Sequence, residues 1–118
     1  MKSVLIMVQM LCAIAFCAAQ SGNRTTRLEA DYYVTIYAEP YRVPVALIRA
    51  SVQHESNRQV CSVAPKGAVG FMQLTPATAQ RLGVGDLCNP GQNVWGGVRY
   101  LAGIIRRFHD LRLVAAAY

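Results

Sequence analysis

Hydrophobic residues recur every three or four positions over most of the chain, a spacing typical of amphipathic helices. A first helix is predicted by Leu28, Tyr32 and Ile36 and is expected to end before Pro40, since proline disrupts a helix interior. A second helix is expected to begin near Pro44, because proline suits the first helical turn. One face of this second helix carries Val45, Ile48, Val52 and Glu55.

Three further helices are predicted after a segment without periodicity. Residues 57–70 contain glycine and proline and are expected to form a loop. A short helix is indicated from Thr75 to Gly83 and a longer one starts at Asn89, since each has a capping residue followed by proline. A last helix begins at Leu111. The apolar stripe of the longer helix consists of Val94, Val98, Leu101, Ile105 and Phe108. Strand alternation is missing, so the sequence predicts a mostly α domain.

Residues 1–19 are expected to be a secretory signal peptide. Lys2 is followed by an uncharged, largely apolar stretch that ends in small residues suited to cleavage. The alternatives are an uncleaved anchor or a lipoprotein acylated at Cys17, and the bulky Phe16 disfavours the latter. We therefore expect export to the periplasm, with residues 20–118 forming the mature domain.

The composition indicates one small packed domain with a positive charge. The chain has 118 residues, of which 53% are hydrophobic and 15% charged, and its formal net charge is +6. Its basic residues are scattered, which disfavours nucleic-acid binding and favours an anionic envelope polymer as partner. Cys61 and Cys88 remain beyond the leader, and in an oxidising compartment we expect a disulfide between them. His54 and His109 do not stand at spacings known for zinc ligands.

Glu55 is the most informative residue, because it occupies the core-facing stripe of the second helix where another apolar residue would be expected. A carboxyl group at such a position loses solvation and lies at the negative end of the helix dipole. Both effects favour the protonated form that a general acid needs. The alternative is an ordinary solvated or ion-paired glutamate near a helix end, with Arg49 or Arg58 as its partner.

The small number of acidic residues restricts the mechanism. The chain contains six aspartates and glutamates, and none other than Glu55 stands out as a second catalytic carboxylate. Ordinary glycosidases use two carboxyl groups. A serine nucleophile is disfavoured, because Ser56 lacks the Gly-x-Ser-x-Gly turn and His54 would project in a different direction from the helix.

Five separated blocks agree, in order and spacing, with one family of cell-wall enzymes. The blocks are Glu55 with Ser56, the loop segment Gly67, Ala68, Val69, Gly70, Phe71, Met72 and Gln73, the helix start Pro76, Ala77, Thr78 and Ala79, the helix residues Asn93, Gly97, Tyr100 and Leu101, and Tyr118. From about residue 43 to 118 the chain resembles the soluble lytic transglycosylase catalytic domain, a lysozyme-like α fold.

The resemblance implies a peptidoglycan lytic transglycosylase that needs neither metal nor cofactor. Glu55 would protonate the glycosidic oxygen between N-acetylmuramic acid and N-acetylglucosamine and then act as base on the muramic acid 6-hydroxyl. A 1,6-anhydro product would result, with the internal hydroxyl in place of water. Ser56, Met72, Gln73 and Tyr118 would bind the saccharide. The alternatives are that Met72 fills the core, Gln73 caps loop backbone and Ser56 only ends the helix.

The sequence departs from the family pattern at two places. Asn57, Arg58 and Gln59 replace the aromatic residue, Asn and Pro that usually follow Glu-Ser, so we expect a rebuilt loop above the acid. The sequence stops at Tyr118, where Asn-Ala-Gly and closing helices are expected, so the domain is predicted to be incomplete at its C-terminus and poorly stable.

The small exported form is similar to monomeric transglycosylases that assist type III or type IV secretion or conjugation machinery. A role beside such machinery is therefore one expectation for partners other than peptidoglycan. Two other functions stay open at this point: a non-catalytic glycan-binding module, and a goose-type-lysozyme-like hydrolase.

Overall fold

The structure is a computed structural model that describes residues 26–56 and 59–118. Five helices occur in the described part of the chain, and the expected signal peptide lies outside it. The helices are α1 (26–41), α2 (Val45–Ser56), α3 (Pro76–Leu82), α4 (Pro90–Phe108) and α5 (Leu111–Ala117). Extended pairing among these residues is limited to two isolated bridges, Val63 with Val69 and Val69 with Leu74. The predicted mostly α class is confirmed.

The helix starts follow the predicted capping chemistry. Thr75 accepts a hydrogen bond from the backbone N–H of Thr78 at the start of α3, and Asn89 accepts one from Gln92 at the start of α4. A proline follows each cap, where its missing N–H costs no helical hydrogen bond. Gly83 ends α3 in the left-handed conformation, with φ of 75°.

The first helix differs from its prediction in length and in its buried face. It continues to residue 41, so Pro40 lies in its last turn rather than ending it. The predicted stripe of Leu28, Tyr32 and Ile36 is exposed, and the buried face of α1 is formed by Ala30, Val34 and Ala38. Small side chains there let the helix backbone approach the core closely, which a count of large apolar residues does not detect.

The core is built around α4. Its stripe residues Val94, Val98 and Leu101 are all buried and belong to one cluster with residues of α1, α2 and α5 and the loop before α3. A Cβ atom at Gly97 would overlap the Met72 side chain, so this glycine lets Met72 pack directly on the helix backbone. Val114 of α5 is fully buried in the same cluster.

A disulfide joins Cys61 to Cys88, as the sequence predicts, with their Cα atoms 4.7 Å apart. It connects the loop after α2 to the turn before α4, across 27 positions of the sequence. None of the helices in the described part of the chain is long and apolar enough to cross a lipid bilayer.

Candidate active site

Glu55 lies in the last turn of α2 and lines a cavity of about 320 Å³ between α2, α4 and α5. Its side chain is 29% exposed, so the carboxyl group is partly withdrawn from water and still accessible. The rest of the wall is formed by Leu47, Ala50, Ser51, His54, Leu101, Ala115 and Tyr118. The carboxylate therefore faces a concave and mostly apolar surface rather than bulk solvent.

Of the two arginine partners that the sequence left open for Glu55, Arg58 lies outside the described residues and Arg49 is engaged elsewhere. Arg49 is paired with Asp31 of α1, with Nε 3.2 Å from Oδ1, and so does not neutralise Glu55. His54 Nδ1 lies 3.6 Å from Glu55 Oε1, but the imidazole is 86% exposed. At this exposure a histidine interacts weakly with a carboxylate, because water screens the pair. Among the described residues, no arginine or lysine forms an ion pair with Glu55.

Tyr118 forms the opposite wall of the cavity and is fixed in place. Its hydroxyl donates a hydrogen bond of 2.8 Å to the backbone carbonyl of Met72. Burial raises the pKa of Tyr118 above the ordinary tyrosine value, and the nearby charges of Glu55 and Tyr100 raise it further. The phenol therefore stays protonated and keeps its hydrogen bond at neutral pH.

Two of the residues expected to bind saccharide lie in the interior instead. Ser56 is 6% exposed, and its hydroxyl donates to the carbonyl of Val52 in the preceding turn of α2. Met72 is fully buried against Gly97 of α4. Ser56 is thus engaged within α2, and Met72 packs on the backbone of α4. In this structure neither side chain lines the cavity.

Gln73 also stays outside the cavity wall, because its side chain is used within its own loop. The amide nitrogen donates to the carbonyls of Ser62 and Gly70, at 2.8 and 3.1 Å. Its backbone adopts the left-handed conformation, with φ of 49°. These contacts agree with the alternative in which Gln73 caps loop backbone.

Asn93 of α4 holds the loop that carries Met72. It is fully buried, accepts a hydrogen bond from the Met72 N–H and donates to the carbonyls of Val69 and Leu87, at distances of 2.8 to 2.9 Å. Gly70 makes this arrangement possible, since a Cβ there would overlap the Asn93 amide. Because Tyr118 hydrogen bonds to Met72, this network also sets the position of the cavity wall facing Glu55.

The sequence did not single out the α2 residues that share the cavity with Glu55. Ser51 and Leu47 precede Glu55 by four and eight positions, so helical spacing places all three on one side of α2. His54 was considered only as a zinc ligand or catalytic triad member, and it lines the same cavity. The sequence could have indicated Ser51 and Leu47 as cavity residues through their spacing of four and eight positions from Glu55.

The cavity contains one carboxylate. Glu55 is the only acidic residue among the described residues that line it. Across residues 26–56 and 59–118, no group of three or more histidine, cysteine, aspartate or glutamate side chains stands close enough to hold a metal ion. A single carboxyl group in a mostly apolar cavity can donate and then recover a proton, but the described residues of the wall supply no second carboxylate to activate water.

Comparison with known proteins identifies relatives of one kind. The sequence model of the family described as "Transglycosylase SLT domain" matches residues 32–118. The transglycosylase of Enterobacteria phage PRD1 is 37% identical over 78 residues, which cover 66% of this chain and 29% of the relative. Membrane-bound lytic murein transglycosylase F of Vibrio parahaemolyticus is 44% identical over 64 residues, covering 54% and 12%.

A solved structure supports the fold. The inactive mutant of the lytic transglycosylase Slt from Pseudomonas aeruginosa superposes with a TM-score of 0.60 at 23% identity, over 66% of this chain and 14% of that one. The chain thus spans less than a third of the length of each of these relatives. The structural likeness confirms the lysozyme-like fold that the sequence blocks implied.

Proposed function

Because the chain belongs to the transglycosylase SLT domain family, we propose that it is a lytic transglycosylase that cleaves peptidoglycan glycan strands with Glu55 as its acid and base. The observation that carries this proposal is the cavity in which Glu55 stands as the single carboxylate among the described lining residues. Hydrolysis by two carboxylates needs a second group to activate water or to act as nucleophile. A reaction that uses an internal hydroxyl of the substrate needs one carboxyl group only.

In the proposed mechanism, protonated Glu55 first donates its proton to the glycosidic oxygen between N-acetylmuramic acid and N-acetylglucosamine. The bond from that oxygen to the muramic acid C1 breaks, and positive charge develops on the sugar. The carboxylate then takes the proton from the muramic acid 6-hydroxyl, whose oxygen bonds to C1. The product is a 1,6-anhydro sugar, and Glu55 ends the cycle protonated, as it began.

The wall opposite Glu55 positions the saccharide. We propose that a sugar ring packs on the face of Tyr118, whose hydroxyl is engaged by the Met72 carbonyl and therefore leaves the ring in a fixed orientation. Ser56, Met72 and Gln73 then support the site without contacting the sugar. Ser56 stabilises the end of α2, and Met72 and Gln73 stabilise the loop that holds Tyr118. The apolar contacts of Leu47 and Leu101 suit the less polar face of a sugar ring.

The narrower predictions from the sequence concern location and partners. Export to the periplasm, a monomeric state and assistance to a secretion or conjugation machine remain predictions. The relatives named membrane-bound lytic murein transglycosylases agree with a protein that acts at the cell wall. Secretion genes beside this one would support the accessory role, and a position among wall-recycling genes would oppose it.

The direct test is digestion of purified sacculi followed by separation and mass analysis of the released muropeptides. We expect 1,6-anhydro products from the native protein. Glu55→Gln should reduce their rate by about 10² to 10⁴-fold, the range typical of a lost general acid. Glu39→Gln is the matched control, since Glu39 is exposed and lies outside the cavity.

Three outcomes separate the proposed function from its alternatives. Binding to sacculi without anhydro products would identify a glycan-binding module. Products with reducing ends would identify a lysozyme-like hydrolase. Activity of Glu55→Gln equal to that of Glu39→Gln would show that another group is the acid.

A further inference from the structure

A second cavity, of about 630 Å³, is lined by four arginine side chains. It lies along α4, between the end of α3 and the end of α5, and its arginines are Arg81, Arg99, Arg106 and Arg107. No aspartate or glutamate is found among the described residues of its wall. Four guanidinium groups in one concave surface, without a carboxylate among them, produce a positive potential that attracts an anionic ligand.

Two of these guanidinium groups are held in position by the protein. Arg99 donates a hydrogen bond of 2.6 Å to the carbonyl of Leu82 and stands over the ring of Trp95, 4.5 Å from its centre. Arg107 lies over Phe108, 5.5 Å from the ring centre. Groups fixed in this way lose less conformational freedom when a ligand binds, so they favour binding more than mobile side chains do.

Arg106 is available for a ligand. It makes no hydrogen bond or ion pair with another residue within 26–56 or 59–118, and its side chain is exposed at the last turn of α4. Guanidinium groups bind carboxylates and phosphates through paired, parallel N–H donors. The ligand that fits this cavity therefore carries one or more such oxyanions.

The arginine cavity adjoins the Glu55 cavity. Tyr100 lines the first and Tyr118 lines the second, and their ring centres are 5.3 Å apart. On α5, Ala117 belongs to the first wall and Ala115 to the second. One pair of aromatic rings thus divides two depressions, and a branched ligand can occupy both.

We propose that the arginine cavity binds the carboxylate groups of the peptides attached to the glycan, while the glycan itself occupies the Glu55 cavity. This inference rests on the proposed function, which places a muramic acid beside Glu55. The peptides of peptidoglycan branch from muramic acid and carry several free carboxylates. A carboxylate source is preferred to a phosphate source, because the peptide is covalently attached to the sugar in the neighbouring cavity.

The test compares binding to glycan strands that carry peptides with binding to strands from which an amidase has removed them. Both measurements use Glu55→Gln protein, so that the ligand is not consumed. We expect the peptide-bearing strands to bind at least about tenfold more tightly, the effect of one or two charge-assisted hydrogen bonds. The joint substitution Arg106→Gln with Arg107→Gln should abolish this preference and leave binding to peptide-free strands unchanged.

The matched control is Arg27→Gln with Arg112→Gln, which removes the same charge from exposed positions outside the cavity. The control should keep the preference for peptide-bearing strands. If the arginines acted only through a general electrostatic attraction to the surface, both pairs of substitutions would weaken the preference equally. A second double variant, Arg106→Lys with Arg107→Lys, retains the charge at the helix end. It is used in place of the glutamine variant if the glutamine variant does not fold. It is expected to weaken the preference, since lysine cannot form the paired hydrogen bonds.

Equal binding of the two kinds of strand, or a preference that survives in the cavity variants, would overturn the inference. A phosphate-bearing wall polymer that binds the cavity more tightly than peptide-bearing strands would also overturn it, in favour of a phosphate ligand. Failure of the catalytic proposal would appear separately, as the absence of anhydro products from native protein on both kinds of strand.

Discussion

The buried amide of Asn93 offers the most informative test of how the fold supports the site. Replacing Asn93 by alanine leaves the buried Met72 N–H and the part-buried Leu87 carbonyl without their partner, whereas the Val69 carbonyl still accepts a hydrogen bond from the Leu74 N–H. A buried polar group without a hydrogen bond costs about 1 to 3 kcal/mol. Two such groups predict a loss of at least about 2 kcal/mol, a large part of the roughly 5 to 15 kcal/mol that stabilises a typical domain.

The loss is measured by urea denaturation as the change in the free energy of unfolding. An unchanged slope of this free energy against urea concentration serves as the check on two-state behaviour. Gln92→Ala is the matched control. This neighbouring amide accepts two hydrogen bonds of 3.0 Å, from the N–H groups of Gly85 and Asp86, but all three residues are exposed. Water can replace exposed hydrogen bonds, so the control should cost about 1 kcal/mol or less.

The reasoning would be refuted by an Asn93→Ala protein as stable as Gln92→Ala. Such a result would mean that the Met72 N–H and the Leu87 carbonyl find water or new partners when the amide is removed. A second consequence concerns the active site. Because Met72 holds Tyr118 through its carbonyl, Asn93→Ala should also lower the anhydro-product rate of the fraction that remains folded.

Three further predictions concern other contacts of the same framework. Replacing Cys61 and Cys88 by serine should lower the free energy of unfolding by about 3 to 4 kcal/mol, the loop-closure effect of a 27-residue separation, and reductant should then no longer shift the melting temperature. Gly97→Ala should cost about 1 to 3 kcal/mol in urea denaturation, because the added methyl group overlaps Met72. The raised pKa of Tyr118 means that the unfolded chain releases this proton first, so stability should fall as pH rises above 10.0. Tyr118→Phe should show a smaller alkaline loss in melts between neutral and high pH, and an unchanged slope would contradict the assignment.

The parts of the fold that depend on local sequence were predictable. Thr75 and Asn89 cap their helices as expected, since a cap is decided within four residues. Val94, Val98 and Leu101 of the predicted α4 stripe are buried as their spacing indicates, whereas Ile105 is partly buried and Phe108 is exposed at the end of the helix. The buried face of α1 was not predictable from the positions of large apolar residues. The small residues Ala30 and Ala38 are buried there, since they let α1 pack closely against the core.

The site was predictable only in part, because its walls come from distant segments. Glu55 stood out because a carboxylate interrupts an apolar stripe. The hydrogen bond from Tyr118 to the Met72 carbonyl joins residues 46 positions apart, and no local pattern indicates it. Met72 and Ser56 belong to blocks shared with the family, but membership in a block does not say whether a side chain faces the ligand or supports the wall from behind.

The central claim is that Glu55 acts alone and that a substrate hydroxyl, not water, completes the cleavage. Its most direct measurement is digestion of sacculi in water enriched with oxygen-18, followed by mass analysis of the released muropeptides. The account predicts products that each lack one water relative to a reducing end and contain no oxygen-18, and it predicts that Glu55→Gln forms almost none of them. One oxygen-18 atom at the end of each cleaved strand would show that water attacks C1, and the single-carboxylate mechanism would be wrong.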